Sequence, residues 1–202
     1  MEKKSAILNI YMKNFKNGLA LNLSKGFTLI ELLIVIALLG ALAVGLLAAL
    51  DPFEQLKKGT DTGVRNTAAE LHGAIIRYYG IKNVMPWCIA GDCLTQRDGL
   101  TAADLPVAGV KATNFSETIT EIAATGELKS NFSQLAGDGA LAEITVFGAN
   151  TTATIEVCYK PKAKSFISDP NTKFEAATGV EAVAGTCKGQ GGTDLTCLWC
   201  IN

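Results

Sequence analysis

The feature that most constrains this chain is a long apolar run with one ionisable side chain. Between Phe27 and Leu50 only Glu31 carries a charge, and residues 32–50 lack strongly polar side chains. As a helix these roughly 19 residues extend about 28 Å, enough to cross the hydrocarbon core of a bilayer. A charge well inside a bilayer costs on the order of 3 kcal/mol, so Glu31 is a candidate functional residue.

The segment before this run is basic. Residues 1–26 contain five lysines and one glutamate, and a basic flank marks the cytoplasmic side of a membrane helix. We therefore expect the chain after the run to lie on the outer side of the membrane. Met12 is an alternative start to Met1, and either start leaves the chain after Gly26 unchanged.

The apolar run opens with the sequence GFTLIE at residues 26–31. This opening resembles the prepilin motif of type IV pilins and pseudopilins, and the resemblance covers residues 24–56. It implies that a prepilin peptidase cuts after Gly26, that the new amino terminus at Phe27 is N-methylated, and that Glu31 guides assembly. A glycine suits the cut because it leaves the backbone unhindered. The residues alone also permit a single-pass anchor in which Gly26 ends a turn and Glu31 is incidental.

The resemblance further implies a partner for the Glu31 carboxylate, which is the terminal amine of Phe27 in a neighbouring subunit. That charged amine exists only after cleavage. The cut would therefore create the group that Glu31 binds, and processing would switch assembly on.

A second helix is predicted after the run. Asp51 as N-cap, Pro52 at the first helical position and Glu54 match a capping box, at which a helix either restarts or kinks. Apolar side chains then recur in steps of three and four, which mark one helical face. This stripe comprises Phe53, Leu56, Val64, Ala68, Leu71, Ile75 and Tyr78 or Tyr79, with Thr60 filling the gap. Gly80 is a plausible stop, so residues 27–79 are expected to form one helical spine.

A hairpin is predicted from segments 141–148 and 152–160, joined by residues 149–151. In the second strand alternate residues share a face. The face expected to cover the helix stripe consists of Ile155, Val157 and Tyr159. Cys158 then points away from the helix. Residues 165–168 are expected to add a third strand.

Two regions give weaker predictions. Residues 115–128 are expected to contain a short helix with Ser116 as its cap. The region from Asp169 onward is rich in Gly, Thr and Asn, and we expect a loop-like tail held by cysteines.

The order of elements predicts an α+β fold in which a long N-terminal helical spine packs on a small antiparallel sheet. This architecture is similar to that of type IV pilins. The predicted parts are a leader at 1–26, a transmembrane or filament-core helix at 27–50, an amphipathic continuation at 51–80 and a globular head at 81–202.

The chain contains six cysteines, all beyond the apolar run, at Cys88, Cys93, Cys158, Cys187, Cys197 and Cys200. An even number on the outer side predicts disulfides, with 15 possible connectivities. The short spacing favours a Cys88–Cys93 bond, with Cys158 bonded to one cysteine of the tail. The spacing of Cys197 and Cys200 also fits a redox motif, and the two close pairs also fit a four-thiolate zinc site.

The sequence gives little indication of an active site. His72 is the only histidine, and no nucleophile motif or phosphate loop accompanies it, so we predict no enzyme, cofactor or bound metal. A calcium site, as in some pseudopilins, is not indicated because the late carboxylates are widely spaced. The mildly acidic part after residue 26 does not support nonspecific binding to nucleic acid.

These observations predict a structural subunit of a type IV pilus or pilus-like filament. Its expected partners are other pilin subunits, prepilin peptidase, assembly machinery and inner-membrane lipid. Its expected location is the inner membrane as a precursor, with the head outside the cytoplasm, and then an extracellular filament. The alternatives are a pseudopilin of a type II secretion system, a membrane-anchored extracytoplasmic domain that does not assemble, and a thiol-disulfide enzyme.

Overall fold

The computed structural model describes residues 26–49, 51–89, 93–100, 109–148 and 154–202. The chain divides into two compact units, Met1–Leu50 and Asp51–Asn202. Most of the predicted leader and all of the predicted hairpin loop lie outside the described residues.

The first unit contains one described helix, α1, at Leu29–Ala49. Its Leu29–Leu47 segment is long and apolar enough to cross a membrane. Every side chain that the structure describes in this helix is exposed. Among the described residues of this unit, no protein core covers the apolar surface of α1.

The second unit begins with helix α2, Pro52–Lys82. Asp51 is its N-cap, as predicted, and the Asp51 carboxylate accepts the backbone N–H of Glu54 at 3.2 Å. The predicted stop at Gly80 is wrong. The helix ends at Asn83, which adopts the left-handed conformation and donates its N–H to the Tyr79 carbonyl at 2.7 Å. Asparagine tolerates that conformation better than most residues with a side chain.

The buried face of α2 largely follows the predicted stripe. Its buried residues are Asp61, Val64, Ala68, Leu71, Ala74, Ile75 and Tyr78. The prediction is wrong for the first two turns, where Phe53 is 73% exposed and Leu56 is 68% exposed. The predicted stripe also does not contain the buried Asp61, because it was defined by apolar side chains alone.

The head contains a five-stranded antiparallel sheet. Its strands are β1 (Val110–Lys111), β2 (Ile144–Gly148), β3 (Ile155–Tyr159), β4 (Thr172–Phe174) and β5 (Leu198–Ile201). The order across the sheet is β1-β2-β3-β5-β4. The pairing of β2 with β3 confirms the predicted hairpin strands, although residues 141–143 belong to a helix.

The two faces of β3 enter different clusters, as predicted. Ile155, Val157 and Tyr159 belong to the core that includes the buried stripe of α2. Cys158 lies in a second cluster on the other side of the sheet, where its neighbours include Phe174. The alternation of side chains along one strand thus separates the helix-facing core from the outer cluster.

The described part of the head also contains four short α-helices and three single-turn 3-10 helices, the latter at Arg97–Gly99, Ala112–Asn114 and Lys188–Gln190. The four α-helices are α3 (Ser116–Ala124), α4 (Phe132–Ala136), α5 (Asp138–Glu143) and α6 (Lys164–Ile167). The strand predicted at 165–168 is wrong, because most of that segment lies in α6. The tail from Asp169 is not simply loop-like, since it supplies β4 and β5.

Helix α3 forms where a short helix was predicted, but Ser116 is not its cap. The carboxylate of Asp98 accepts the backbone N–H groups of Glu117 at 2.6 Å and Thr118 at 3.0 Å. Asp98 comes from a separate turn of the chain, so the N–H groups of the first turn are satisfied by a distant residue.

Candidate processing and assembly site

The peptide bond between Gly26 and Phe27 lies in exposed, non-helical backbone. Both residues are exposed, and α1 begins only at Leu29. A Cβ built on Gly26 meets no atom within 4 Å. The surroundings of this bond therefore leave room for a peptidase to approach the main chain.

Thr28 and Glu31 form a reciprocal cap at the start of α1. The backbone N–H and the hydroxyl of Thr28 both donate to Glu31 Oε2 at 2.8 Å. The Glu31 N–H donates to Thr28 Oγ1 at 3.3 Å. This is a capping box, which satisfies N–H groups that have no partner within the helix.

The cap gives Glu31 a local role that the sequence analysis missed. The signal was present, since Thr28 and Glu31 have the spacing of the capping-box pattern. In this structure the carboxylate helps to start the helix whose first residues follow the candidate cleavage site. Any role of Glu31 in assembly must therefore be separated experimentally from its role in starting α1.

Residues 21–47 match the family model for the prokaryotic N-terminal methylation motif. The chain carries this methylation motif. The match supports a type IV pilin-like prepilin with a class III leader. No curated protein and no solved structure matches the chain significantly.

The methylation motif also defines the class of partners. It implies processing by a prepilin peptidase and assembly with pilus-type machinery. The apolar helix within the motif fits membrane anchoring of the precursor. Proteins with this motif are structural rather than enzymatic.

The six cysteines of the head form three disulfides. The bonds are Cys88–Cys93, Cys158–Cys200 and Cys187–Cys197. The Cys158–Cys200 bond joins directly opposite residues of neighbouring strands β3 and β5. It therefore fastens the late strand β5 into the middle of the sheet.

This connectivity bears on the two alternative uses of the cysteines. Cys197 and Cys200 belong to different disulfides, so they do not form a redox pair with each other. The Glu156 carboxylate and the sulfurs of Cys158 and Cys200 lie within 4.8 Å of one another. Because those sulfurs are bonded to each other, the group offers a metal ion only the carboxylate.

His72 is half-buried on α2 and lines an open cavity with Ile76 and Glu156. Burial lowers the pKa of His72, and a hydrogen bond with the backbone of Ile155 partly opposes this effect. Burial also raises the pKa of Glu156. Among the described lining residues of this cavity there is no serine or cysteine that His72 could activate as a nucleophile.

Several aromatic side chains pack within the head. Trp87 and Phe115 are buried and meet edge to face, with ring centroids 6.1 Å apart. Trp199 contacts Tyr159, and the guanidinium carbon of Arg65 lies 4.1 Å from the centroid of its ring. This cation–π contact joins α2 to β5.

Proposed function

We propose that this chain is a structural subunit of a type IV pilus or pilus-like filament, cut after Gly26 and assembled through its apolar N-terminal helix. The methylation motif at residues 21–47 is the observation that carries the proposal. The exposed, non-helical backbone around Gly26 and the uncovered apolar surface of α1 support it. Outside a bilayer, that surface needs neighbouring subunits as its apolar environment.

Within this proposal, the amine of Phe27 after cleavage pairs with Glu31 of a neighbouring subunit. The pair removes two charges from an apolar surrounding that would penalise either charge alone. Capping by Thr28 orients the carboxylate in the free subunit. Assembly then depends on the charge of Glu31, whereas the start of α1 depends only on its ability to accept hydrogen bonds.

The comparison of Glu31→Gln with Glu31→Ala separates these two roles. Glutamine keeps the capping box but removes the charge, whereas alanine removes both. We expect both precursors to be cleaved and both to be defective in filaments. A charge-assisted contact contributes about 1.5–3 kcal/mol, so filament yield should fall by at least about tenfold.

The measurements are mass spectrometry of the mature amino terminus and quantification of sheared filaments by electron microscopy and blotting. The unchanged wild-type chain is the control for both. Normal filament yield from Glu31→Gln would refute the proposed charge pair. A mature amino terminus other than Phe27 would refute the cleavage site.

The pseudopilin of a type II secretion system is the second candidate function. We favour a pilus because three disulfides fasten the head, whereas pseudopilins often lack C-terminal disulfides. Imaging of filaments labelled through the head distinguishes long surface fibres from short periplasmic ones. An uncut leader together with monomers would instead support the membrane-anchored domain that does not assemble.

A further inference from the structure

The first two turns of α2 carry apolar side chains that the head leaves uncovered. Phe53 and Leu56 belong to the predicted stripe, yet both are largely exposed, and the buried face of α2 begins only at Asp61 in its third turn. Leu56 and Lys57 lie three and four residues after Phe53, so the three side chains share one helical face. We refer to this start of the helix, made of Phe53, Leu56, Lys57 and Lys58, as the proximal surface.

The two lysines give the proximal surface a positive charge. Lys57 is exposed, Lys58 is half-buried, and neither forms an ion pair with the described residues. The two nearby carboxylates are held by the head instead. Asp51 accepts the Glu54 N–H, and its Oδ2 lies 4.0 Å from Lys164 Nζ. The Glu54 carboxylate accepts the backbone N–H of Lys164. Two cationic side chains thus remain next to the exposed apolar pair.

The covalent chain keeps the proximal surface near the end of the membrane-length segment. That segment ends at Leu47, and Phe53 follows six positions later. Six residues span at most about 20 Å even when they are fully extended. The polar layer of headgroups adds about 5–7 Å beyond each side of the hydrocarbon core. A chain that crosses a bilayer with this segment therefore cannot carry Phe53 far from the headgroups.

We propose that the proximal surface binds the phospholipids of the leaflet on the head's side of the membrane. An apolar face bordered by lysines is typical of helical segments that lie in the bilayer interface. Phe53 and Leu56 enter the region below the headgroups, and the flexible stems of Lys57 and Lys58 let their ammonium groups bind the phosphates. The favoured lipids are anionic, because their charge is opposite to that of the lysines. The inference rests on the proposed function only in that α1 anchors the precursor.

This contact acts before assembly. It holds the head of a free subunit at the membrane, and it must break when the subunit leaves the bilayer for a filament. Anionic phospholipid therefore retains unassembled subunits. The attraction is local, since it falls off within a Debye length of about 10 Å at 0.1 M salt. Lys82, at the other end of α2, lies about 38 Å along the helix from Lys57, so it provides a control.

The first test measures whether position 53 contacts lipid. Full-length variants with a tryptophan added at one site are placed in vesicles whose phospholipids carry bromine on their acyl chains, and bromine quenches tryptophan fluorescence on contact. Phe53→Trp probes the proximal surface. Ile81→Trp, at a residue that is 61% exposed near the far end of α2, is the matched control. Leu46→Trp, inside the membrane-length segment, marks full quenching. The unchanged chain gives the background from Trp87 and Trp199.

We expect strong quenching of Leu46→Trp and Phe53→Trp and little quenching of Ile81→Trp, and circular dichroism should show all three variants folded. Quenching of Leu46→Trp alone would overturn the inference and leave the membrane anchor intact. Equal quenching of Phe53→Trp and Ile81→Trp would overturn the assignment to the proximal surface. A Leu46→Trp variant that is not quenched would overturn anchoring by α1, and the inference with it.

The second test measures the contribution of the lysines in vesicles that contain phosphatidylglycerol. Lys57→Gln and Lys58→Gln are combined in the Phe53→Trp chain, and Lys82→Gln in the same chain is the control. Two lysines near an anionic surface change the ratio of bound to free head about thirtyfold, so the double variant should lower this ratio, read from the quenching, by about that factor. Lys82→Gln should leave the ratio unchanged.

Vesicles of neutral phosphatidylcholine complete the second test. In these vesicles we expect weaker quenching of Phe53→Trp and no further effect of the lysine substitutions. Equal quenching of the double variant and its parent in anionic vesicles would overturn the role of Lys57 and Lys58. Equal quenching of the parent in neutral and anionic vesicles would overturn the preference for anionic headgroups.

Discussion

Replacement of Asp61 by alanine should be among the most damaging single changes in the head. Asp61 is 2% exposed, and its Oδ2 accepts the backbone N–H groups of Lys162 at 2.9 Å and Ala163 at 2.7 Å. Each hydrogen bond to a charged group contributes about 1.5–3 kcal/mol, and a buried N–H left without a partner adds its desolvation cost. We expect Asp61→Ala to lower the free energy of unfolding by about 4 kcal/mol. Asp61→Asn keeps an acceptor oxygen without the charge and should cost about half as much.

Urea unfolding of the full-length protein in detergent, followed by tryptophan fluorescence, measures this difference. Thr62→Ala is the matched control, because Thr62 is the next residue, is exposed, and its described hydrogen bond goes to the carbonyl of Lys58 in the same helix. That change should shift the free energy of unfolding by less than about 0.5 kcal/mol. A cost below about 1 kcal/mol for Asp61→Ala would show that the two N–H groups find other partners, and the reasoning would fail.

Two further predictions concern the sheet. Burial raises the pKa of Tyr159 to about 12, so the free energy of unfolding should be retained below pH 10 and fall as the pH rises through 12, by about 1.4 kcal/mol at pH 11. Tyr159→Phe should remove this decrease without lowering the free energy of unfolding at pH 7, because the hydroxyl has no hydrogen-bond partner among the described residues. Urea titrations at pH 7 and pH 11 test both statements. A variant that is destabilised at pH 7 would contradict the second. The second prediction concerns two disulfides that close loops of different length, since the sequence separation is 42 for Cys158–Cys200 and 5 for Cys88–Cys93. In the chain-entropy model, loss of the first bond should lower the free energy of unfolding by about 4 kcal/mol, and loss of the second by about 2 kcal/mol. Thermal unfolding of the two double-alanine variants tests this order, and the reverse order would contradict it.

Periodicity predicted the elements whose partners are close in sequence or whose pattern is long. The stripe from Val64 to Tyr78 repeats over several turns, and β2 and β3 are neighbours joined by a short connection. In both cases the local sequence indicates which side of the helix or strand is buried in the core. The exposed Phe53 and Leu56 show the limit of predicting burial from periodicity. An apolar pattern indicates that a helical face will be buried, but it does not indicate whether the same chain, a lipid or another protein buries it.

The strands of the tail could not be predicted because they depend on distant partners. Strand β4 has three residues and β5 has four, and β5 contains a cysteine whose partner in β3 is 42 residues earlier. Strands this short carry too few residues for alternation to be recognised. Their register is set by pairing with β3 and by the disulfide, neither of which is local.

An apolar stripe also gives no role to the charged residues of α2, and the structure shows what two of them do. Asp61 holds the backbone of Lys162 and Ala163, and Glu54 accepts the backbone N–H of Lys164. Two carboxylates, two turns apart on α2, thus fasten the segment that leaves β3 and leads to α6. Hydropathy cannot separate such a residue from a solvated one, because both are charged and both lie beside the apolar stripe. Since β4 follows this segment, the two carboxylates also help to determine where the tail can return to pair with β5.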